Sequence, residues 1–505
     1  MSERAGAKSI SFQLVGMVLQ NSAMLVTGVY VARSIGASDY GTSAILRSLF
    51  QIAAVIAPIG LDLSLQKYVG SHHGSLAAAR VVTNRLRFLV FLLTTVALAI
   101  VAGGFGGWLN EHVYKIPGLD LLLVLTFAAL PFQTDISILS GIYRGRFNPT
   151  PQIAVSFYLM PLLRLLLLLI LLHFGWGLMG VVIATTCSTV ISFALLNAHY
   201  IMRQDRGAPG LESRDRPAWG DGFALLEPSL WMGISIFLYS SIRMVDIVVL
   251  GLFQSTKEIG AYSATSTIAQ IVQFFPHALS QTLGPTIARH YADGDIAAVR
   301  SLLNGNIRLT SLLAAPIFSG VAVWGAGMDV LFGDSFAFSG AVSFTLALGY
   351  YVSGVAGATG FALSMTGRHR AETSILFFGN IVAVVACFAL IPVFGQLGAA
   401  AGVCLAYLGI NLMRTLAARS VIGVFAGSPK DIAPPIVTLA LGYIVYNLAQ
   451  SFGGHNAVTF FSAGAFYLCT VGGVYWFAFF TVDEKRYVAE RTARLIPAKL
   501  LRLSW

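Results

Sequence analysis

Three arginines lie inside apolar stretches of this chain. Arg47 is about one turn inside the second predicted membrane span, Arg164 is in the middle of the fifth, within the run PLLRLLLLLILL, and Arg243 is in the outer half of the seventh. A guanidinium at membrane depth normally faces protein or water, because exposing it to lipid is costly. Its planar fork can donate two hydrogen bonds to one phosphate. The sequence therefore predicts a phosphate-binding cavity lined by Arg47, Arg164 and Arg243.

Each of these arginines also has a structural interpretation that the sequence leaves open. Arg47 could extend to the outer membrane interface, as long basic side chains do. Arg243 could form an ion pair with Asp246, because residues three apart share a helix face. Arg164 could serve packing between helices.

Asp246 is the predicted site of a coupling ion, Na+ or H+. A carboxylate inside a span is a functional candidate by default, since a partly dry cavity lets it exchange cations or protons. The other acids near spans are Asp62, Asp135 and Glu227, which lie near cytoplasmic span ends. These three are interpreted as interfacial or helix-end residues.

Amide side chains concentrate on the first and eighth predicted spans. Helices this polar line water or another helix bundle more readily than lipid, and sugars need amide and hydroxyl partners. Polar contacts that merely join helices are the alternative. The predicted cavity lining comprises Gln13, Gln20, Asn21, Gln270 and Gln273.

Catalytic motifs are missing from the sequence. It has no GxSxG, HExxH or Walker loop, and no connection is long enough to fold as a catalytic domain. The prediction is a protein that is not an enzyme, with no cofactor and no metal site. The cysteines lie in apolar spans without metal-ligand spacing and are interpreted as packing residues: Cys187, Cys387, Cys404 and Cys469.

The elements that must position these residues are membrane helices. Of the 505 residues, 56% are hydrophobic and 11% are charged, and the mean hydropathy is +0.76. A soluble globular chain carries about 25% charged residues. The prediction is an all-α polytopic membrane protein with about fourteen transmembrane helices, at residues 10–32, 43–66, 87–108, 119–141, 152–173, 177–200, 225–252, 261–286, 306–328, 336–364, 372–392, 397–418, 433–452 and 459–481.

The basic residues predict the orientation of these helices. The termini and the connections on their side of the membrane, with the adjoining span ends, hold 26 Lys and Arg, whereas the opposite connections hold three. By the positive-inside rule, both termini are cytoplasmic. The net charge of +10 is therefore attributed to topology and not to nucleic-acid binding.

Residues 41–69 and 260–291 form a loose internal repeat. Both segments have a glycine after an acidic loop, a hydroxyl-rich helix start, a proline inside the helix and a basic, aromatic end. A chance match is the alternative to two repeated lobes with a substrate site between them. The predicted organisation is a six-helix lobe at 1–200, a cytoplasmic linker at 201–224, a second six-helix lobe at 225–425, two additional helices at 426–482 and a basic amphipathic tail at 483–505.

Several segments resemble one transporter family. They are GVYVARSIGASDYGTSAILRSLFQIAAVIAPIGLDLSLQKYV, MVDIVVLGLFQSTKEIGAYSAT and LFGDSFAFSGAVSFTLALGYYVSGVAGATGFALSMTGR. The chain is similar to the polysaccharide transporters, which are oligosaccharide flippases of the MOP superfamily, together with MATE exporters and lipid II flippases. The resemblance implies a V-shaped pair of lobes, alternating access and transfer of undecaprenyl-diphosphate-linked oligosaccharide to the periplasmic leaflet of a bacterial inner membrane.

The same resemblance implies an ion-coupled cycle and a place beside a glycan polymerase or glycosyltransferase complex. Two other functions stay open. One is a MATE-like drug/cation antiporter, in which acids would dominate the cavity. The other is a non-transporting scaffold for envelope polysaccharide synthesis.

Overall fold

The structure, a computed structural model, describes residues 3–71, 76–146, 148–204, 226–422, 433–453 and 456–479. Apart from short turns these residues are helical, and none of them forms a strand. The α-helices are α1 (Glu3–Ile56), α2 (Leu61–Ser71), α3 (Leu76–Ile100), α4 (Gly106–Leu109), α5 (Leu119–Phe127), α6 (Leu130–Gly145), α7 (Thr150–Ile153), α8 (Met160–His173), α9 (Gly177–Gln204), α10 (Leu226–Phe253), α11 (Thr256–Ala269), α12 (Phe274–Ala292), α13 (Ile296–Trp324), α14 (Asp329–Phe332), α15 (Gly340–Met365), α16 (His369–Phe394), α17 (Gln396–Ala417), α18 (Ala433–Gly453) and α19 (Ala457–Val474). Short π or 3-10 segments continue several of them, at Val101–Phe105, Asn110–Tyr114, Ala154–Leu159, Gln270–Gln273, Gly325–Gly327, Ala418–Ile422 and Tyr475–Phe479.

Eleven helical segments in the described part of the chain are long and apolar enough to cross a membrane. Large apolar side chains such as Phe88 and Phe477 are 70% and 82% exposed on them, as expected of surfaces that face lipid. The prediction of an all-α polytopic membrane protein is confirmed. The number fourteen stays a prediction, because the first two predicted spans form one segment, Val15–Gly70, and the spans at 261–286 and 433–452 are not among the eleven.

Gly36 alone divides α1 into two arms. The sequence predicts a loop at 36–41, but the structure keeps helix there and interrupts it only at Gly36, with φ 78° and ψ 174°. Glycine reaches that φ at no steric cost. In a straight helix Gly28 and Tyr40, twelve residues apart, would be separated by about 18 Å along the axis. In the structure the Tyr40 hydroxyl lies 3.6 Å from the place where a Cβ on Gly28 would be. The second arm therefore bends back beside the first.

Reciprocal glycines join the two halves of the chain. A Cβ on Gly41 of α1 would overlap the Thr256 carbonyl oxygen, and a Cβ on Gly260 of α11 would overlap the Ala37 carbonyl oxygen. The Ser38 and Thr256 hydroxyl oxygens are 2.7 Å apart. We call this contact the outer seam, because the predicted topology places it on the outer side of the membrane. It consists of Ala37, Ser38, Gly41, Thr256 and Gly260. Both glycines occupy the same place in the predicted repeat, so the repeated segments meet each other.

A second contact between the halves, the inner seam, lies where α2 meets α10. Gly60, with φ 70°, packs so closely that a Cβ there would overlap the Ser229 carbonyl oxygen. The hydroxyls of Ser64 and Ser229 are 2.5 Å apart. Small residues let helix backbones approach in this way inside a membrane. The halves therefore touch in two places, where α1 meets α11 and where α2 meets α10.

Helices α18 and α19 pack on α13. The hydroxyls of Ser319 and Thr438 are 2.7 Å apart, and the Tyr467 hydroxyl donates to the Pro316 carbonyl oxygen at 3.1 Å. The predicted additional pair is thus attached to the second half of the chain. Most of the predicted linker and the predicted basic tail, 205–225 and 480–505, lie outside the described residues.

Two ion pairs are buried among the helices. Arg87 donates from Nε and Nη2 to the two carboxylate oxygens of Asp135, at 2.8 and 2.6 Å, and Asp135 is 4% exposed. Arg414 Nε lies 3.0 and 3.1 Å from the two oxygens of Glu372. The interfacial interpretation of Asp135 is therefore wrong, and Arg414, counted with the topology-setting charges, is buried. In both cases a partner on a neighbouring helix turns the side chain inward.

We expect Glu372→Leu to lower the free energy of unfolding by about 3–5 kcal/mol, because the Arg414 guanidinium would remain buried without its counter-ion. The measurement is denaturant unfolding of the purified protein in detergent. The double variant Glu372→Leu/Arg414→Met removes both charges and should recover most of the loss. Equal destabilisation in the single and double variants would contradict this account.

The cysteines divide into two pairs. Cys387 and Cys404 are buried, as predicted for packing residues, whereas Cys187 and Cys469 are exposed. The packing interpretation is wrong for the exposed pair, because a thiol is small and apolar enough to lie on a helix face turned to lipid.

Candidate substrate-binding site

Arg47 reaches across the interface between the halves. It lies on the second arm of α1, is half-buried, and donates from Nη2 to the Ser263 hydroxyl of α11 at 3.0 Å. Ser263 itself is 1% exposed. Arg47 therefore points toward the second half of the chain.

Arg164 lies close to Arg47 although 117 positions separate them in the chain. Helix α8, which carries Arg164, packs against α1, which carries Arg47, and the electrostatic interaction between the two guanidiniums is unfavourable. The Arg164 Nε atom is buried and has no hydrogen-bond partner among the described residues. Neither arginine forms an ion pair with any carboxylate in the part of the chain that the structure describes. The arrangement is a pair of like charges without a carboxylate partner among the described residues.

Arg243 is held by a chain of polar groups within the second half. It donates from Nη2 to the Gln270 amide oxygen at 3.1 Å. The Gln270 amide nitrogen in turn lies 3.3 Å from the Ser266 hydroxyl, which is 3.2 Å from the Tyr350 hydroxyl. Gln270 thus fixes the direction of Arg243 instead of an ion pair with Asp246.

Asp246 is fully buried. Its carboxylate accepts a hydrogen bond from the Tyr262 hydroxyl at 2.7 Å and one from the Ile247 backbone N–H at 2.8 Å. No ion pair within 4.0 Å joins Asp246 to a basic side chain among the described residues. The carboxylate is therefore enclosed next to Tyr262, and its role as a coupling-ion site stays a prediction.

One helix connects the two groups of arginines. Ser263, which contacts Arg47, and Gln270, which contacts Arg243, are seven residues apart on the continuous helical segment that begins with α11. Seven residues make two turns, so both side chains lie on one face about 10 Å apart. The predicted cationic groups from the two halves therefore meet the same face of the eighth predicted span.

A small pocket beside Arg243 includes residues that sequence reasoning did not select. The pocket holds about 10 Å³, enough for one water molecule. Arg414 is the cation that sequence reasoning did not select for this site. Its position within the apolar run from 397 to 418, three residues after the polar Asn411, is a sequence signal that could have identified it. The lining residues are Tyr239, Ile242, Arg243, Gln273, Ser353, Leu376, Tyr407, Ile410 and Arg414.

The predicted amide lining is only partly gathered at these arginines. Gln270 contacts Arg243 and Gln273 lines the pocket. Gln13 and Gln20 lie half-buried on one face of α1 and are not among the residues that line this pocket. Asn21 is exposed and donates to the Met17 carbonyl oxygen of its own helix at 2.7 Å.

Metal binding finds no support in the described residues, which contain no group of three or more His, Cys, Asp and Glu side chains placed to hold a metal ion. The chemistry available at the arginines is the binding of an anion.

A protein-family model described as "Polysaccharide biosynthesis protein" matches residues 7–290. Two proteins of Haloferax volcanii are similar along most of their length. The probable low-salt glycan biosynthesis flippase Agl15 is 23% identical over 398 residues, which cover 75% of this chain and 76% of that protein. The probable flippase AglR is 24% identical over 463 residues, which cover 87% of each.

Solved structures with the same fold include two kinds of transporter. The lipid II flippase MurJ in an inward closed conformation has a TM-score of 0.73 at 11% identity, covering 92% of this chain and 98% of that one. An inward-facing multidrug resistance MATE family transporter of the MOP superfamily has a TM-score of 0.61 at 13% identity. The match covers 82% of this chain and 98% of that one. At these identities the likeness shows the fold alone.

Proposed function

Because this chain belongs to the polysaccharide biosynthesis protein family, as its resemblance to the polysaccharide transporters of the MOP superfamily predicted, we propose that it is a glycan flippase. Its cargo would be an undecaprenyl-diphosphate-linked oligosaccharide, which it moves from the cytoplasmic to the periplasmic leaflet for synthesis of a cell-surface polysaccharide. The similarity to two probable flippases supports this function.

The observation that carries the proposal is the pair Arg47 and Arg164. Two guanidiniums that repel each other, with no carboxylate paired to them among the described residues, are stabilised when an anion binds between them. A diphosphate is such an anion, and guanidiniums bind phosphate oxygens with paired hydrogen bonds. The lipid tail would stay in the bilayer while the charged headgroup and sugars cross between the lobes.

Movement of the two lobes relative to each other is the proposed transport step. The lobes are residues 1–200 and 225–425, and they touch at the outer seam and the inner seam. Cargo would enter when the inner seam opens and leave when the outer seam opens. The pocket beside Arg243 has room for one water, so headgroup entry requires the helices to separate.

An ion gradient would drive this cycle, with Na+ or H+ binding at Asp246. The proposed location is a bacterial inner membrane with both termini in the cytoplasm, near a glycan polymerase or glycosyltransferases. Arginines outnumber acids at the site, which favours an anionic cargo over the cation of a MATE-like antiporter.

Charge reversal at Arg243 tests the proposal. We expect Arg243→Glu to abolish glycan export at unchanged membrane abundance, because a carboxylate repels the diphosphate. Export is measured as surface polysaccharide in cells that depend on this protein, and abundance by immunoblot of membranes. Arg370→Glu, at an exposed position between the tenth and eleventh predicted spans on the predicted cytoplasmic side, is the matched reversal and should leave export intact. Normal export with a lost synthesis complex in the Arg243 variant would instead favour the scaffold.

A further inference from the structure

A second arginine-rich site lies at the end of the first lobe that the topology places in the cytoplasm. The Arg87 guanidinium lies 4.9 Å and the Arg146 guanidinium 5.3 Å from the centre of the Tyr200 ring, within the range of a cation–π contact. Tyr200 is 1% exposed and its hydroxyl donates to the Asn84 amide oxygen at 3.2 Å. Side chains from α3 and from the residue that follows α6 thus converge on one aromatic ring of α9.

The two arginines on this ring differ in their partners. Arg87 is neutralised by Asp135 and also donates to the Asn197 amide oxygen at 2.9 Å. Arg146 has no carboxylate partner, and its Nε atom is buried without a hydrogen-bond partner, among the residues that the structure describes. The nearest arginine in sequence, Arg144, is 40% exposed and 3.9 Å from Asp62. Arg146 is therefore the uncompensated cation of this cluster.

We propose that Arg146, held against Tyr200, binds the phosphate group of a lipid headgroup in the inner leaflet. The ring holds the guanidinium in place, and a guanidinium with an unpaired Nε donor suits phosphate oxygens. Basic pockets between membrane helices on the cytoplasmic side bind anionic headgroups in this way. The site is separate from Arg47 and Arg164, and it requires the predicted orientation but not glycan transport.

The test measures the thermal unfolding of the purified full-length protein. Mixed micelles containing phosphatidylglycerol are compared with micelles of phosphatidylcholine, over a range of lipid concentrations. We expect phosphatidylglycerol to raise the unfolding midpoint. Arg146→Gln should weaken the response roughly fivefold in lipid concentration, the equivalent of the about 1 kcal/mol that one arginine contributes at an anionic surface.

Arg144→Gln is the matched control, two residues away on the exposed side, and should retain the wild-type response. Arg146→Lys keeps the charge and loses the planar fork, so it should give an intermediate response even if the glutamine variant fails to fold. A parallel titration with sodium pyrophosphate identifies the source of the phosphate. A response to phosphatidylglycerol indicates a resident phospholipid, and a response to pyrophosphate alone indicates the headgroup of a diphosphate lipid.

Two outcomes would overturn the proposal. In one, the wild-type midpoint is the same with phosphatidylglycerol, phosphatidylcholine and pyrophosphate. In the other, Arg144→Gln and Arg146→Gln weaken the response equally, which is the behaviour of diffuse surface charge. Both outcomes leave the proposed flippase function untouched, because export is measured separately in cells.

Discussion

Replacing Arg164 by methionine is expected to reduce glycan export roughly 10- to 100-fold, because a hydrogen bond to a charged group is worth about 1.5–3 kcal/mol. The same variant should unfold at a higher temperature than the wild type. It removes a charge whose Nε is buried without a described partner and which repels Arg47, while methionine keeps much of the apolar volume. Export is measured as surface polysaccharide and stability by thermal unfolding in detergent.

The opposite signs of these two effects distinguish a binding arginine from a packing one. Arg164→Lys is the control that keeps the charge, and it should retain more export than the methionine variant with no gain in stability. If Arg164→Met lowers the unfolding temperature and export together, Arg164 serves the packing of α8, and the anion-binding role would have to be abandoned.

A disulfide across the outer seam is expected to stop transport completely and reversibly. The Ser38 and Thr256 hydroxyl oxygens are 2.7 Å apart, so sulfurs in Ser38→Cys/Thr256→Cys can reach the bonding distance of about 2.05 Å. The bond would keep the lobes together on the side where cargo leaves. The exposed cysteines Cys187 and Cys469 are first replaced by serine. Transport is then measured in proteoliposomes after oxidation and again after a reductant.

The matched control is a disulfide within one lobe. The Ser235 and Thr373 hydroxyls are 3.0 Å apart on α10 and α16, both in the proposed second lobe, so Ser235→Cys/Thr373→Cys should leave transport unchanged. The pair at the inner seam, Ser64→Cys/Ser229→Cys, should block entry of cargo. Full transport with the outer disulfide formed would show that the outer seam does not open, and would refute its role as a gate.

The glycines show where local sequence signals succeed and where they fail. The sequence marks a break near Gly36, because glycine, serine and aspartate cluster there, but it cannot tell a loop from a single positive φ inside a helix. It also aligns Gly41 with Gly260, yet their contact across the two halves depends on how the repeats dock. A glycine that turns a chain and a glycine that admits another backbone look the same in a sequence.

Hydropathy and charge along the chain were sufficient to predict an all-helical membrane protein and to select Arg47, Arg164 and Arg243, because a charge in an apolar run is costly whichever way the helix is rotated. The family came from the resemblance of three segments of the sequence. Only the tertiary structure decided that Arg47 and Arg164 are neighbours, that Arg243 is held by Gln270, and that Arg414 faces inward. The physical reason is that a helix rotated about its axis has the same hydropathy. The direction of each side chain is decided by packing against helices that are distant in sequence.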